Sequence, residues 1–234
     1  MTIFERALEF VPEGSVVGLG SGRASATFIR SLGARVRAGF KVRGVPTSDD
    51  SAKLAEEQGI PIAPLEEDMT IAATVDGADE VDPHLNLIKG YGRALVREKI
   101  VAAASKKLVI LVGTEKLVQT LGERKKLPVE IVPFALPLCR RRLYELGLQP
   151  VLYERDDGPF VSDNGNYVLD CLIGPLPDPA ELEAKICNIP GVVDTGLFLG
   201  MADIVLIGDD NFHLIEERRR TNTKGKEDSS CKSP

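Results

Sequence analysis

Several segments of this chain lack the polar alternation of a half-exposed strand, and helix-length segments separate them. "SVVGLG" (residues 15–20), "FKVRGVP" (40–46), "TIAATVD" (70–76) and "KLVILVG" (107–113) read as strands. "ASATFIRSLGARVRA", "SDDSAKLAEEQG" and "ALVREKIVAAASK" lie between or beside them with helical spacing, and Ser48 is a candidate cap for the second. Strands of this kind fit a parallel sheet covered by helices on both faces. Such a sheet binds ligands at the carboxyl ends of its strands. Four polar or glycine-rich turns fall at those ends: the loop after Gly18, the turn after Pro46, the acidic turn after Val75 and "GTEK" after Val112.

The texture changes after Lys126. "LPVEIVPF" reads as a strand and "LCRRRLYELG" as a helix. "QPVLYERDDGPFVSDNGNYVLDCLI" reads as strands joined by Asp-Gly and Asn-Gly turns, and "DPAELEAKICNIPG" as a helix. "ADIVLIGDD" (202–210) is again a buried-type strand, expected to rejoin the first sheet. The expected fold class is therefore α/β: a Rossmann-like, mostly parallel sheet over residues 1–126 and 202–217, with a smaller inserted α+β (ferredoxin-like) domain over 127–201. Residues 218–234, "RRRTNTKGKEDSSCKSP", are polar without a buried face and are expected to be disordered.

Of 234 residues, 27% are charged, and the net charge is −6, which argues against a nucleic-acid binder working by bulk electrostatics. No run reaches the roughly 18 apolar residues of a membrane span, and "MTIFERALEFVPEG" lacks the basic start of a signal peptide, so a cytoplasmic location is expected. Cys139, Cys171 and Cys187 read as buried or incidental thiols, with Cys231 the fourth cysteine and no CxxC pair. Two histidines, His84 and His213, give a zinc site little support.

Chemistry concentrates at the strand ends. "GLGSGRASA" (18–26) can bring backbone N–H groups onto an anion, with Ser21, Arg23 and Ser25 as side-chain donors, and reads equally as a tight strand–helix turn. "PTSDDSA" is a helix cap or a second ligand loop. "TVDGADEVDPHLNLIKGYGRALVREK" (74–99) is the more specific stretch. Asp76 and Asp79 crowd the end of a buried strand, Lys89 follows in a glycine-flanked turn, and Glu98 lies in the next helix. A carboxylate base beside a fixed cation suits proton transfer on a carbon next to a carbonyl, although taken alone Glu98 reads as a solvated helix charge. Glu80, Asp82 and His84 read as solvated loop residues.

That stretch closely resembles the signature of type A ribose-5-phosphate isomerases. The resemblance continues through "VVGLGSG", "GVPTS", "ILVGTEKLV", "LPVEIVPFA", "VSDNGNYVLD", "IPGVVDTGLF" and "ADIVLIG", in the family's order, over residues 7 to 215. It implies an isomerase without metal or cofactor that interconverts ribose 5-phosphate and ribulose 5-phosphate in the non-oxidative pentose phosphate pathway. It implies a homodimer or homotetramer whose partner is a small sugar phosphate, with no nucleic acid and no membrane. By motif, Glu98 is the base between C1 and C2, and Asp76 assists ring opening. Asp79 holds the sugar with the Gly77–Ala78 backbone, and Lys89 sits beside the enediolate oxygen. Ser21, Gly22, Arg23 and Ala24 line the phosphate site with Lys116. Gly90, Tyr91 and Gly92 form the lysine turn.

This chain departs from the family at three places. "GSGRASA" has Arg23 and Ala24 where hydroxyl residues are usual. "KGYGRA" has Tyr91 and Arg93 where smaller residues are usual. The phosphate-directed lysine of the family's earlier-starting first helix finds no match, and Arg23 is the expected substitute, its fork suiting phosphate oxygens. A non-catalytic sugar-phosphate sensor on the same fold is the alternative. An amino-sugar phosphate deaminase or a lactonase would use different site motifs.

Overall fold

A computed structural model describes residues 1–220. In chain order its elements are α1 (Ile3–Leu8), β1 (Val16–Leu19), α2 (Arg23–Arg37), β2 (Arg43–Pro46), α3 (Asp49–Glu57), β3 (Ile71–Gly77), β4 (Glu80–Val81), β5 (Leu87–Ile88), α4 (Leu95–Ala103) and β6 (Leu108–Gly113). They continue with β7 (Lys126–Ile131), α5 (Leu136–Glu145), β8 (Gln149–Leu152), β9 (Glu154–Arg155), β10 (Gly158–Pro159), β11 (Tyr167–Leu172), α6 (Pro179–Cys187), β12 (Val192–Thr195), β13 (Leu197–Phe198), β14 (Ile204–Gly208) and β15 (Leu214–Arg219). Thr114–Lys116 forms a short 3-10 turn after β6.

The central sheet runs β15-β14-β6-β3-β1-β2, parallel except where β15 pairs antiparallel with β14. Its apolar runs are explained by the two faces. Val109 and Leu111 of β6 and Ile204 and Leu206 of β14 enter one core with Ile3, Phe4, Phe28, Ile29 and Leu32 from the helices. The intervening Leu108, Ile110, Val112, Val205 and Ile207 enter a second core with Ala102 and Phe198. Each fully buried aliphatic side chain contributes about 1.5–3 kcal/mol, which keeps these positions apolar, whereas the buried polar residues of the sheet, Thr74 and Asp76, lie toward the carboxyl end of β3. Ser48 caps α3 by accepting from the Ser51 amide. Thr2 and Glu5 form a reciprocal capping box on α1, a short helix that the sequence reading did not mark.

The second sheet has the order β12-β7-β11-β8, with every pair antiparallel. With α5 and α6 it follows the β-α-β-β-α-β succession of a ferredoxin-like unit. It has a core of its own around Leu127, Val129, Ile131, Leu143, Leu169 and Ile186. A small three-stranded sheet, β13-β5-β4, runs between the two halves of the chain: Leu197 pairs with Ile88 and Glu80 with Ile88 from the other side.

One expectation needs correction within the described residues. Arg218 and Arg219 belong to β15, opposite Val205 and Ile204, and the Arg220 guanidinium donates to the carbonyls of Ala202 and Leu85. An edge strand needs only one covered face and tolerates charge on the other, so polarity alone did not mark the end of order. Residues 221–234, including Cys231, lie outside the described residues. Of the other cysteines, Cys139 and Cys171 are buried and Cys187 is exposed, all unpaired. Among the described residues no helix is long and apolar enough to cross a membrane, and no group of three or more His, Cys, Asp and Glu side chains has the arrangement of a metal site.

Candidate active site

The sheet order sets the place of the site. From β1 the chain steps outward to β2 and then returns to the other side of β1 as β3. The crevice of a parallel sheet opens at such a reversal, beyond the carboxyl ends of the two diverging strands. Those ends are Gly20–Ser21 after β1 and Asp76 at the end of β3. Gly20 is required there: a β-carbon on it would lie 2.1 Å from Asp76 Oδ1.

Asp76 is 1% exposed and holds four donors. Its Oδ1 accepts from the Ser21 amide (3.1 Å), the Ser25 hydroxyl (2.9 Å) and the Gly77 amide (2.8 Å). Its Oδ2 accepts from Lys89 Nζ at 2.9 Å. The turn after β5 delivers that ammonium, which also donates to the Gly77 carbonyl at 2.6 Å. Gly90, at φ +101°, makes the turn possible.

Glu98 comes from the first turn of α4 and is 3% exposed. Its Oε2 lies 3.2 Å from Lys89 Nζ but accepts no aligned hydrogen bond. The carboxyl oxygen facing the cation is thus left without a full partner. Burial, and then repulsion from Asp76, push the Glu98 carboxyl up to about 8 against the pull of Lys89. Burial alone would lower the Lys89 ammonium, but Asp76 and Glu98 outweigh it and hold its pKa above the ordinary lysine value. The trio carries two acids and one base, so one acid is driven toward the protonated form. Asp76 is tied by its four donors, and Glu98 is the acid whose pKa is raised.

Asp79 carries a lighter load. Its Oδ2 accepts from the Tyr91 amide at 2.9 Å. Burial raises its pKa, and the Tyr91 amide and the charges of Lys89 and Lys116 oppose that rise. Lys116 stands on the turn after β6 and, among the described residues, makes no ion pair.

The anion-seeking part lies on the other side of Asp76. Gly22 opens α2 at φ +88°, with no side chain capping the helix and no acid in its first turn. The first amides of a fifteen-residue helix are left for a ligand. Ser21 Oγ lies 2.8 Å from Thr47 Oγ1 and 2.7 Å from Ser48 Oγ. The glycine bend and the turn after β2 therefore meet as one hydroxyl cluster. Arg23 sits on the helix entrance, exposed, with no side-chain hydrogen bond or ion pair among the described residues. Ala24 is half-buried beside it, with its β-carbon 3.8 Å from the position a β-carbon on Gly77 would take.

The structure thus brings Asp76, Lys89 and Glu98 into contact, with Ser21 and Gly77 bonded to Asp76. Asp79 and Lys116 lie within electrostatic reach of that group. Other positions turn elsewhere. The Tyr91 ring packs against the core of the antiparallel sheet, its hydroxyl donates to the Lys126 carbonyl, and its amide donates to Asp79. Arg93, at φ +69°, forms a bidentate pair with Asp170 of β11 and lies 3.6 Å over the Tyr153 ring. Ala78 packs with Val81 and Leu85 in the core behind the site, and Gly92 is exposed. Two loop readings are corrected. Glu80 is fully buried and accepts from the amides of Gly122 and Arg124, and Asp82 is buried and accepts from the amides of His84 and Asn86. These acids tie turns together through backbone amides, which sequence cannot display. Thr47, Ser48 and Ser25 were visible as a hydroxyl-rich pattern, but their convergence on Ser21 and Asp76 depends on strand order.

Comparison with known proteins gives this geometry a family. The model of the family described as ribose 5-phosphate isomerase A (phosphoriboisomerase A) matches residues 43–211. The chain belongs to the ribose 5-phosphate isomerase A family. Within that family it is 50% identical to the ribose-5-phosphate isomerase A of Roseiflexus castenholzii over 206 residues, covering 87% of this chain and 88% of that one. It is 49% identical to that of Gloeobacter violaceus over 210 residues, covering 89% and 91%. The solved ribose 5-phosphate isomerase A of Methanocaldococcus jannaschii superposes with a TM-score of 0.87 at 39% identity, over 93% of this chain and 96% of that one. A D-ribose-5-phosphate isomerase solved in complex with phospho-erythronic acid superposes with a TM-score of 0.88 at 38% identity, with the same coverage.

Proposed function

We propose that this protein interconverts D-ribose 5-phosphate and D-ribulose 5-phosphate through an enediolate, with Glu98 as the base. The observation that carries the reading is the Glu98 carboxyl: buried, raised toward neutrality, and held 3.2 Å from a lysine without an aligned hydrogen bond. A carboxylate so placed removes the C2 proton of the open-chain aldose. The C–H electron pair forms the C1–C2 double bond, and charge collects on the C1 oxygen, where the Lys89 ammonium lowers its energy. Glu98 returns the proton to C1, the hydroxyl proton moves from O2 to O1, and the ketose results. Ring opening requires a proton to leave one sugar hydroxyl and reach the ring oxygen. In the Asp76–Asp79 pair Asp79 is the freer member, and Asp76 fixes Lys89 and Ser21.

At the other end of the sugar, the first amides of α2 and the hydroxyls of Ser21, Thr47 and Ser48 are assigned to the phosphate. Arg23 supplies a cation there. Lys116 faces the sugar beside Asp79, and the Gly77 and Gly90–Gly92 backbone closes the sides. Homodimer or homotetramer formation and a cytoplasmic setting complete the expectation for the family, and sedimentation velocity reads the assembly.

A coupled assay for ribulose 5-phosphate formation tests the reading, run beside hexose phosphates. Turnover confined to the pentose phosphate is expected. No turnover with any sugar phosphate would contradict it in favour of a sensor, which has no use for a buried proton-holding glutamate.

A further inference from the structure

The base stands on α4 and the phosphate-side hydroxyls on the turn into α3, two elements linked on their apolar side by Val101 of α4 packing with Val16 and Val45. The helix α3 lies against α2 and β2, whereas α4 lies against β3, β7 and β12. That apolar link leaves the polar entrances of the two elements to be held in place, and a pentose phosphate has a fixed length, so a misplacement of about 1 Å costs on the order of 10²-fold in rate.

What joins them at those entrances is a turn from the antiparallel half of the molecule. Ser162–Asn166 closes on itself through the Ser162 amide to the Asn166 carbonyl and the Gly165 amide to the Ser162 carbonyl, both at 2.8 Å. From beneath, it is fixed to Glu130 of β7. The Glu130 Oε1 accepts from Ser162 Oγ (2.9 Å), Asn164 Nδ2 (3.0 Å) and Asn166 Nδ2 (2.9 Å). Glu130 is fully buried, and its Oε2 has no partner, so all of its bonding is spent on this one turn. From above, the turn grips both elements of the site. Asp163 Oδ2 accepts from the amide of Asp49, the first residue of α3, at 2.9 Å. Arg97, the neighbour of Glu98 in α4, uses all three of its nitrogens here. Nε donates to Asn164 Oδ1 (3.0 Å), one terminal nitrogen to Asp49 Oδ1 (2.8 Å) and the other to the Asp163 carbonyl (2.5 Å).

We propose that the Ser162–Asn166 turn, anchored on Glu130 and joined to Arg97 and Asp49, is the positioning device that sets the distance between Glu98 and the Ser21–Thr47–Ser48 hydroxyls. This rests on the isomerase reading of the site. None of the five residues that carry it, Arg97, Asp49, Asp163, Asn164 and Glu130, touches the reacting atoms. They act through Glu98 on one side and the Ser48 turn on the other. Asn164 is the central member, because its amide nitrogen binds Glu130 while its oxygen binds Arg97.

The test is steady-state kinetics on ribose 5-phosphate with Arg97→Ala, Asn164→Ala and the double variant, each checked for an unchanged thermal midpoint. Each single change is expected to lower kcat about 10-fold with KM within threefold, and the double variant to lose no more than the worse single one, because both cut the same strap. Asp163→Ala, which frees the Asp49 amide of α3 and removes a 3.8 Å ion pair with Arg97, is the second route if one variant does not fold, and the same loss in kcat is expected. A kcat within twofold of the parent, losses that multiply in the double variant, or a loss carried wholly by KM would overturn the proposal. The underlying reading fails separately: in that case the parent does not isomerise, or Glu98→Gln retains its turnover.

Discussion

At the scale of single residues, the site is a problem of three charges in one dry space. Two carboxylates and an ammonium are each at most 3% exposed, and the surplus acid has to be handled by protonation. The arrangement makes Glu98 the group that titrates near neutrality. In the free enzyme, kcat/KM requires its ionised form, so the acidic limb of the pH profile is expected well above the ordinary glutamate value of 4.5. Lys89 pulls that limb down, so Lys89→Met is expected to move what activity remains to higher pH, and a limb that stays in place would show that the cation does not act on Glu98. At the opposite end of the sugar, Arg23→Ala is expected to raise KM for ribose 5-phosphate about 10-fold with kcat little changed, as for a lost charge-assisted contact of about 1.5–3 kcal/mol. An unchanged KM would leave the anion to the α2 amides and the hydroxyl cluster.

At the scale of elements, two strand ends and two turns do the positioning. Most of them were legible: apolar runs located β1, β3, β6 and β14, and glycines and hydroxyls marked the turns that follow. The three-residue step from Asp76 to Asp79, the glycine-flanked Lys89 and Glu98 also stood out, although their roles came from family resemblance. Short elements were not legible. The strands β4, β5 and β13 are two residues each, too brief for any period to show, yet they carry Lys89 into place. The edge strand β15 was hidden by its charges. The bend after β1 yields a prediction at this scale. Gly20→Ala would put a methyl group against Asp76 Oδ1, which four donors prevent from moving aside. Overpacking of this kind costs about 1–3 kcal/mol. A lower thermal midpoint and a kcat/KM reduced by at least 10-fold are expected, and a variant equal to the parent in both would mean that the bend is looser than described.

For the molecule as a whole, catalysis and stability pull in opposite directions. The native pKa of Glu98 lies above its unfolded value, so between about pH 4.5 and 8 the native state binds the extra proton. Stability from this group is present at low pH and is lost as pH rises through that window. Glu98→Gln removes the titration and leaves Lys89 matched by Asp76. The variant is therefore expected to gain on the parent as pH rises from 5 to 9, by about 2–4 °C in thermal midpoint for each kcal/mol the titration carries, while losing activity. A constant difference across that range would mean that Glu98 does not titrate there. The same scale holds what sequence could not display. The strand reversal at β1 and β3, the contact of Ser21 with Thr47 and Ser48, and the reach of the Ser162–Asn166 turn to α3 and α4 are all products of topology, which joins residues from 26 to 114 positions apart.

The most direct measurement is hydrogen exchange at C1 of ribulose 5-phosphate, followed by proton NMR in deuterated water. The parent enzyme is expected to wash solvent deuterium into C1, and Glu98→Gln to do so about 10²-fold or more slowly with an intact fold. A Glu98→Gln enzyme that exchanges C1 at the parent rate would contradict the assignment of the base and, with it, the reading of the site.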